Sequence, residues 1–568
     1  MIRLSSPQRL RRYAVAAAFI TIGASSASAA TYSWLAKSGT GDWTTASNWS
    51  LNSSYPGADA VNLDVAQFNG DLTGPLGANL DTSVSIANLF LGDTVQDGGV
   101  SWSPTTVSTT NASTLRFVTT GTAIISLVGA NSAGTENLIA PDIFINAPTL
   151  EFRNNLTSGG GANGRGNLAL TGNVTSGTTG SHIIRVTPAG NTTNTCYWDF
   201  RGNITDGPGV VSFFFRKDGT SGSSATRTLK LSGTGNTFSG GINFTGGPGA
   251  IIESSPASGT TGALGTGLIT AITSSNATLN LGGSLSTVTE VAGINIGAGT
   301  KRLANIGAGH RILSGTVNQA SGQPLTLACS DAGNLTLSNV ISGNGPITIS
   351  GTGSGNVIFS GNNTYTGATT VTQGAFQLNG VLSGSSNLSV ATLGWLGGSG
   401  TASGTATFSG GTLSPGGNAT AGILSLGSLV LSTTSSSLID LTVAGTRGTD
   451  YDGLTILNAG GLTYGGTMAL AFGGSVLPDN TTFNVFSFTG SPSGSFGQVS
   501  SSGIYAGTWN DNLDGTYSLA SGGQTLTFSQ ATGSVVVVPE PATTVAIVAG
   551  IGMAIACYRP RRPDRRAT

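Results

Sequence analysis

The chain has 568 residues, with 23 Lys+Arg against 24 Asp+Glu and a formal net charge of -1, so nothing in its charge balance recruits nucleic acid or an anionic membrane surface. Charged residues make up 8% of it, against about 25% in ordinary soluble domains, and a chain so poor in charge with 38% hydrophobic residues is not a solvated disordered polymer. Its 89 glycines exclude long helices, because each costs a helix about 1 kcal/mol, and short β-branched runs broken by Gly, Asn and Ser predict an all-β chain.

In chain order, the first element is a leader. Arg3, Arg9, Arg11 and Arg12 precede a short apolar run from Tyr13 to Ala24, and Ala27-Ser28-Ala29 has the small residues of a cleavage site. Residues 1–29 are therefore predicted to be a signal peptide, with Ala27 and Ala29 flanking the cut and Ala30 as the mature start. An uncleaved anchor is the alternative, disfavoured by the short run.

Next comes YSWLAKSGTGDWTTASNW, Tyr32 to Trp49, followed by DVAQF at Asp64 to Phe68. Trp34, Trp43 and Trp49 are expected to form a hydrophobic cap on the first rung of a solenoid, which such folds need. A sugar-stacking platform is the other use of three tryptophans.

The body is self-similar. Asn339 to Gly380 reads NVISGNGPITISGTGSGNVIFSGNNTYTGATTVTQGAFQLNG, and a looser copy runs from Gly202 to Gly247. Asn363-Thr364-Tyr365 in the first corresponds to Asn236-Thr237-Phe238 in the second, and fainter echoes lie at Asn167–Gly177 and Gly262–Gly283. Phe359 to Leu378 resembles the autotransporter-associated β-strand repeat, close to LSGxNTYTGxTTVxxGxLxL. Gly361, Asn363, Thr364, Tyr365, Gly367 and Gly374 stand at its turn positions, and Phe376 replaces the usual Leu. The Trp-rich opening and the DVAQF strand resemble the start of the same proteins. The resemblance implies a right-handed parallel β-helix. Strands of four to six residues, each ended by Gly or Asn able to take φ > 0, agree with that. At roughly 20–25 residues per rung and about 4.8 Å rise, residues 30–530 predict a rod of order 100 Å. The solenoid is assigned to 30–409. A β-rich closing region is assigned to 410–530, on GGTLSPGGNATAGILSLGSLVLS and the LIDLTVAG…DYDGLTILNAGG stretch, which resemble the end of these proteins. Too few residues follow for even an eight-stranded membrane barrel.

Candidate chemistry is thin. Parallel β-helices include polysaccharide lyases, which need acids and bases near the scissile sugar, yet the chain has five Glu, one of them Glu540. The richest polar cluster, Asp199, Arg201, Asp206, Arg216, Lys217, Asp218, Arg227 and Lys230, is expected to be a surface charge patch, and no catalytic residue is assigned. Asp450-Tyr451-Asp452-Gly453 has part of a calcium loop without the later ligands, so turn capping is expected and no metal or other cofactor is assigned. His182 and His310 lack partners at ligand spacing. Cys196, Cys329 and Cys557 are too few for a disulfide framework; a Cys196–Cys329 bridge is open, with two small buried thiols as the expected state.

The last element, 531–568, carries Pro539-Glu540-Pro541, an uncharged apolar stretch over 542–558, and a tail with Arg559, Arg561, Arg562, Arg565 and Arg566. The stretch is long enough to span a bilayer, and the arginines keep the tail inside. That order of motif, span and basic tail resembles the PEP-CTERM sorting signal of Gram-negative bacteria. It implies an exosortase as processing partner, transient membrane contact, and exopolysaccharide or other surface proteins as company. The sequence thus predicts a non-enzymatic exported protein that passes through an inner-membrane intermediate to the cell surface, outer envelope or matrix, matrix-forming or adhesive. A polysaccharide-acting β-helix enzyme or a carbohydrate-binding surface protein is the alternative.

Overall fold

The computed structural model describes residues 29–539 except 60–62, 69–75, 94–104, 130–135, 157–165, 189–195, 217–226, 246–249, 257–260, 272–276, 284–286, 300, 320–321, 385, 418–419 and 443–444. The chain winds over three faces, and the strands of successive turns pair in parallel. The first face is a 12-stranded sheet starting at Thr31–Ser33 and ending at Ile341–Gly343. The second runs without a break from Gly39–Asp42 to Ser493–Gly494. At about 4.8 Å per rung this ladder makes a rod on the order of 80 Å. The third face begins with Val84–Ile86 and resumes at Thr287–Glu290, turn segments filling the interval. The all-β, parallel solenoid expected from the sequence is the architecture found.

Period-2 alternation builds the core. Along the first face Tyr32, Ala66, Leu89, Ile125, Phe152, Val186, Phe215 and Phe244 are partners in register, and all are buried. Each large apolar side chain in such a column contributes about 1.5–3 kcal/mol by leaving water. Polar residues fasten the corners. Asn173 N–H donates to Asp142 Oδ1 (2.7 Å), Asn203 N–H to Asn173 Oδ1 (2.9 Å) and Gly235 N–H to Asn203 Oδ1 (2.8 Å), one link per rung.

Three expectations need correction. Rungs are not a uniform 20–25 residues: neighbouring rungs joined by Ile124 N–H to Asn88 are 36 residues apart, and those joined by Thr405 N–H to Asn387 only 18. In the chain, the extra residues fall between the end of a first-face strand and the start of the next second-face strand, so neither ladder is interrupted. Strands also exceed six residues where a corner straightens. Thr369–Leu378 and Leu388–Gly398 run from the second face onto the third, with a register shift after Val371. The solenoid does not stop at residue 409 either. Ser436–Leu441, Thr467–Phe472 and Gln498–Gly503 continue the third face in parallel. It is ended by an antiparallel sheet in the order Thr482–Asn484, Ser534–Pro539, Gln524–Ser529, Thr516–Ser521, Asn510–Asp511. Residues 534–539 therefore belong to this closing sheet rather than to a separate tail.

The two cysteines cannot meet. Cys196 pairs with Arg227, and the same ladder position passes through Ala250, Ala277 and Lys301 to Leu325, four residues before Cys329. Five rungs at about 4.8 Å separate them by roughly 24 Å, and a disulfide needs Cα atoms within about 7 Å. Cys329 is a buried free thiol, pushed up to about 11 by burial.

Candidate functional site

At the repeat turn the predicted residues come together around one rung. Asn363 is fully buried; its Oδ1 accepts the Ile341 N–H of the preceding rung (3.0 Å) and its Nδ2 donates to Gly361 O (3.0 Å). Asn236 has the same role in the earlier copy, accepting from Ile204 N–H (2.7 Å) and donating to Ala263 O (2.7 Å). Each Asn satisfies backbone groups that a tight corner would leave unpaired. Tyr365 is buried beside Phe359, with its hydroxyl 2.6 Å from Thr369 Oγ1, and Phe359 packs edge-on to Phe376 at 4.8 Å. Thr364 N–H donates to Ile341 O (2.9 Å).

The glycines act for two different reasons. Gly374 has φ +87°, the left-handed conformation expected of a turn glycine. Gly361 and Gly367 are not left-handed. A Cβ on Gly361 would lie 2.3 Å from Asn339 O, and one on Gly367 2.1 Å from Gly345 O, so these positions are glycine because rungs touch there.

The tryptophans are interior. Trp43 and Trp49 are fully buried, Trp34 nearly so, and Trp49 lies 4.9–5.2 Å from Trp34, Trp43 and Phe68 in edge contacts. They close the first rungs and present no aromatic row to solvent.

The charge patch is a set of mutual partners. Asp199 is buried; Arg201 Nε donates to its Oδ2 (2.9 Å), Ser232 Oγ to its Oδ1 (2.7 Å), and Arg201 Nη2 also reaches Glu136 Oε1 (2.6 Å). Lys230 stands between Asp199 and Glu253 in the ladder, 3.8 Å from Glu253 and over the Tyr197 ring. Asp206 accepts backbone N–H groups of Val211 (2.7 Å) and Ser239 (3.0 Å). Arg216 and Arg227 stand at strand ends; Lys217 and Asp218 lie outside the described residues. His182 is buried with Nδ1 2.8 Å from Ala147 O, and the ring of exposed His310 accepts Asn334 N–H (3.1 Å).

Two groups are not assembled by the sequence. Glu290 and Arg311 both point into the solenoid. Glu290 takes hydrogen bonds from the Ser254 hydroxyl and Leu264 N–H (3.3 Å), while Arg311 donates to Gly283 O (3.1 Å). Burial holds Glu290 above the usual carboxylate range, with Arg311 opposing it.

The second is a surface cleft of about 170 Å³ on the third face, lined by Ser414, Gly417, Leu438, Asp440, Asp452, Ala469, Ala471 and Ser502 among others. Asp452 is buried; its Oδ1 accepts Gly422 N–H (3.1 Å) and its Oδ2 accepts Asp440 N–H (2.9 Å). Its neighbour Asp450 caps a turn by accepting Thr446 N–H (2.6 Å). Burial pushes the Asp452 carboxyl up to about 7, against its two backbone hydrogen bonds and aided by the Asp440 charge. A carboxyl whose pKa rises on folding binds its proton more tightly when folded, so its contribution to stability is complete below about pH 4 and lost as pH rises to about 7. The stability of wild type minus that of Asp452→Asn should therefore fall by up to about 1.4 kcal/mol per pH unit across that window, then level off. Denaturant titrations from pH 4 to 8 measure it, and a flat or rising difference would contradict a burial-raised carboxyl.

At the ends, Ala30 N–H donates to Asp64 Oδ1 (3.2 Å), and Pro539 is the last residue of a closing-sheet strand, opposite Gln524. Ala27, Glu540, Pro541, residues 542–558 and the tail arginines Arg559, Arg561, Arg562, Arg565 and Arg566 lie outside the described residues. Among the described residues no helix is long and apolar enough to cross a membrane. No curated protein matches the chain. Residues 352–378, the strands and turn built around Asn363, match the passenger-associated-transport-repeat family, an autotransporter-associated β-strand repeat that marks exported, surface-associated β-helical proteins.

Proposed function

We propose that this protein is a non-enzymatic surface or matrix component, adhesive or exopolysaccharide-associated, whose leader is removed before Ala30 and whose C-terminal segment is processed by an exosortase. The observation that carries the reading is a long solenoid closed at both ends, bearing an export-associated repeat, with Pro539-Glu540-Pro541 starting at the last residue of its closing sheet. A rod held at one end can project its faces away from the envelope. Two further features support it. A cut before Ala30 leaves an α-ammonium at the nitrogen that already faces the buried Asp64 carboxylate, turning a neutral hydrogen bond into a charge-assisted one. The most polar patch is occupied by its own ion pairs, which leaves little free acid or base for catalysis.

The test is C-terminal mass spectrometry of the protein from its native host. Processing predicts a C-terminus short of Thr568, and Glu540→Ala should trap a longer precursor in the inner membrane. A permanent anchor depends only on hydrophobic length and flanking charge, so it predicts an intact Thr568 and unchanged retention in the variant. An intact Thr568 overturns the proposal.

A further inference from the structure

The third-face cleft has the makings of a binding site that neither the repeat nor the sorting signal accounts for. Its floor is made by outward positions of three successive rungs: Leu438 and Asp440, then Ala469 and Ala471, then Ser502. Two alanines in register leave a depression where longer side chains would fill the face. Ser414 lies at its upper side, on the strand Thr412–Pro415, and Asp452 closes one wall through its paired hydrogen bonds with the Asp440 backbone. Ser414 is 5% exposed and lines the cleft, yet its hydroxyl has no hydrogen-bond partner among the described residues. That hydroxyl is open to the cleft, where a ligand group can take the place of water.

The lining selects the ligand. Among the described residues no Lys or Arg lines the cleft, and two carboxyl groups do, so an anion is repelled. An apolar ligand would strip water from the carboxyls and the Ser414 hydroxyl without replacing it. A cation is poorly served as well: each Asp452 oxygen already accepts a backbone N–H, and a hard cation needs about six oxygens. What fits is a neutral group that donates several hydroxyls while laying C–H surface on Leu438, Ala469 and Ala471. We infer that this cleft binds a neutral sugar residue of a polysaccharide, with Asp440, Asp452 and Ser414 hydrogen-bonding its hydroxyls. The inference rests on the surface-polysaccharide reading above and gives it a location. Asp452, titrating near neutrality, can accept from a sugar hydroxyl when ionised and donate to one when protonated.

The experiment uses the purified full chain on an array of defined neutral gluco-, galacto- and manno-oligosaccharides, with uronic-acid oligosaccharides and calcium chloride as comparison probes. Ser414→Ala removes the free hydroxyl, and Ala471→Phe fills the depression from an exposed position that supports nothing in the core. The expected result is retention of at least one neutral series, weakened about tenfold by Ser414→Ala and abolished by Ala471→Phe, with unchanged thermal unfolding. Binding of none of the neutral series, equal binding by both variants, preference for uronic acids, or binding of calcium alone would each overturn it. C-terminal processing is read on a different segment by mass spectrometry, so the cleft can fail while the sorting proposal stands.

Discussion

Gly367→Ala is expected to destabilise the solenoid by about 1–3 kcal/mol or more, although it adds one methyl group to a residue with ordinary backbone angles. The reason is the neighbouring rung. The new Cβ would sit 2.1 Å from Gly345 O, a backbone atom fixed by the ladder, so the rungs must separate rather than a side chain step aside. Gly361→Ala meets Asn339 O at 2.3 Å and should behave alike. Gly121 supplies the control, because a Cβ there has nothing within 4 Å and Gly121→Ala should be neutral. Denaturant unfolding of the three variants measures the contrast. Equal, small effects at all three positions would show that glycine is needed at the turn only for backbone freedom.

That contrast marks how far the sequence was legible. The alternation of apolar residues and the Gly/Asn punctuation are local properties, so the all-β class followed from them, while the stacked rungs and the turn around Asn363 followed from the repeat's resemblance. The function of Gly361 and Gly367 did not. A glycine required by φ and one required by a carbonyl from the rung before look alike in a single sequence, and only Gly374 among the three proved left-handed. Rung length is not legible for a related reason: a single spacing per rung ignores insertions between strands, and neighbouring rungs lie 36 residues apart in one place and 18 in another.

The cleft was invisible for a stronger reason. Ser414, Asp440, Ala471 and Ser502 come from successive rungs, and their meeting depends on register, which no local pattern encodes. Asp452 was noticed only as part of a calcium-like fragment, and its burial comes from the Gly422 and Asp440 backbone folding over it. Glu290 and Arg311 are similar: an isolated acid and an isolated base in short strands read as surface residues until the alternation turns both inward. The charged patch was easier, because Asp199 and Arg201 two residues apart on a strand share a face, and the structure pairs them at 2.9 Å.

Trp49→Ala should be the most damaging single change at the N-terminal end, costing about 3–5 kcal/mol. Its ring is fully buried against Trp34, Trp43, Phe68 and Tyr32, and its Nε1 donates to Trp43 O at 2.7 Å. The segment it anchors also covers the open edge of the first strand: Ser50 N–H donates to Ser33 O (2.9 Å) and Leu35 N–H to Asn48 O (2.9 Å). Removing the anchor should release that edge, an unpaired template for another chain. In a solenoid each rung is stabilised mainly by its neighbours, so the loss should spread from this end rather than lower all rungs together. Hydrogen exchange should accelerate in Thr31–Ser33 and Val65–Phe68 while Thr467–Phe472 stays protected, and the variant should self-associate as its concentration rises. Exchange that rises equally along the whole ladder would mean the rod unfolds as one unit. Loss of sugar retention with unchanged exchange would instead return the tryptophans to a binding role.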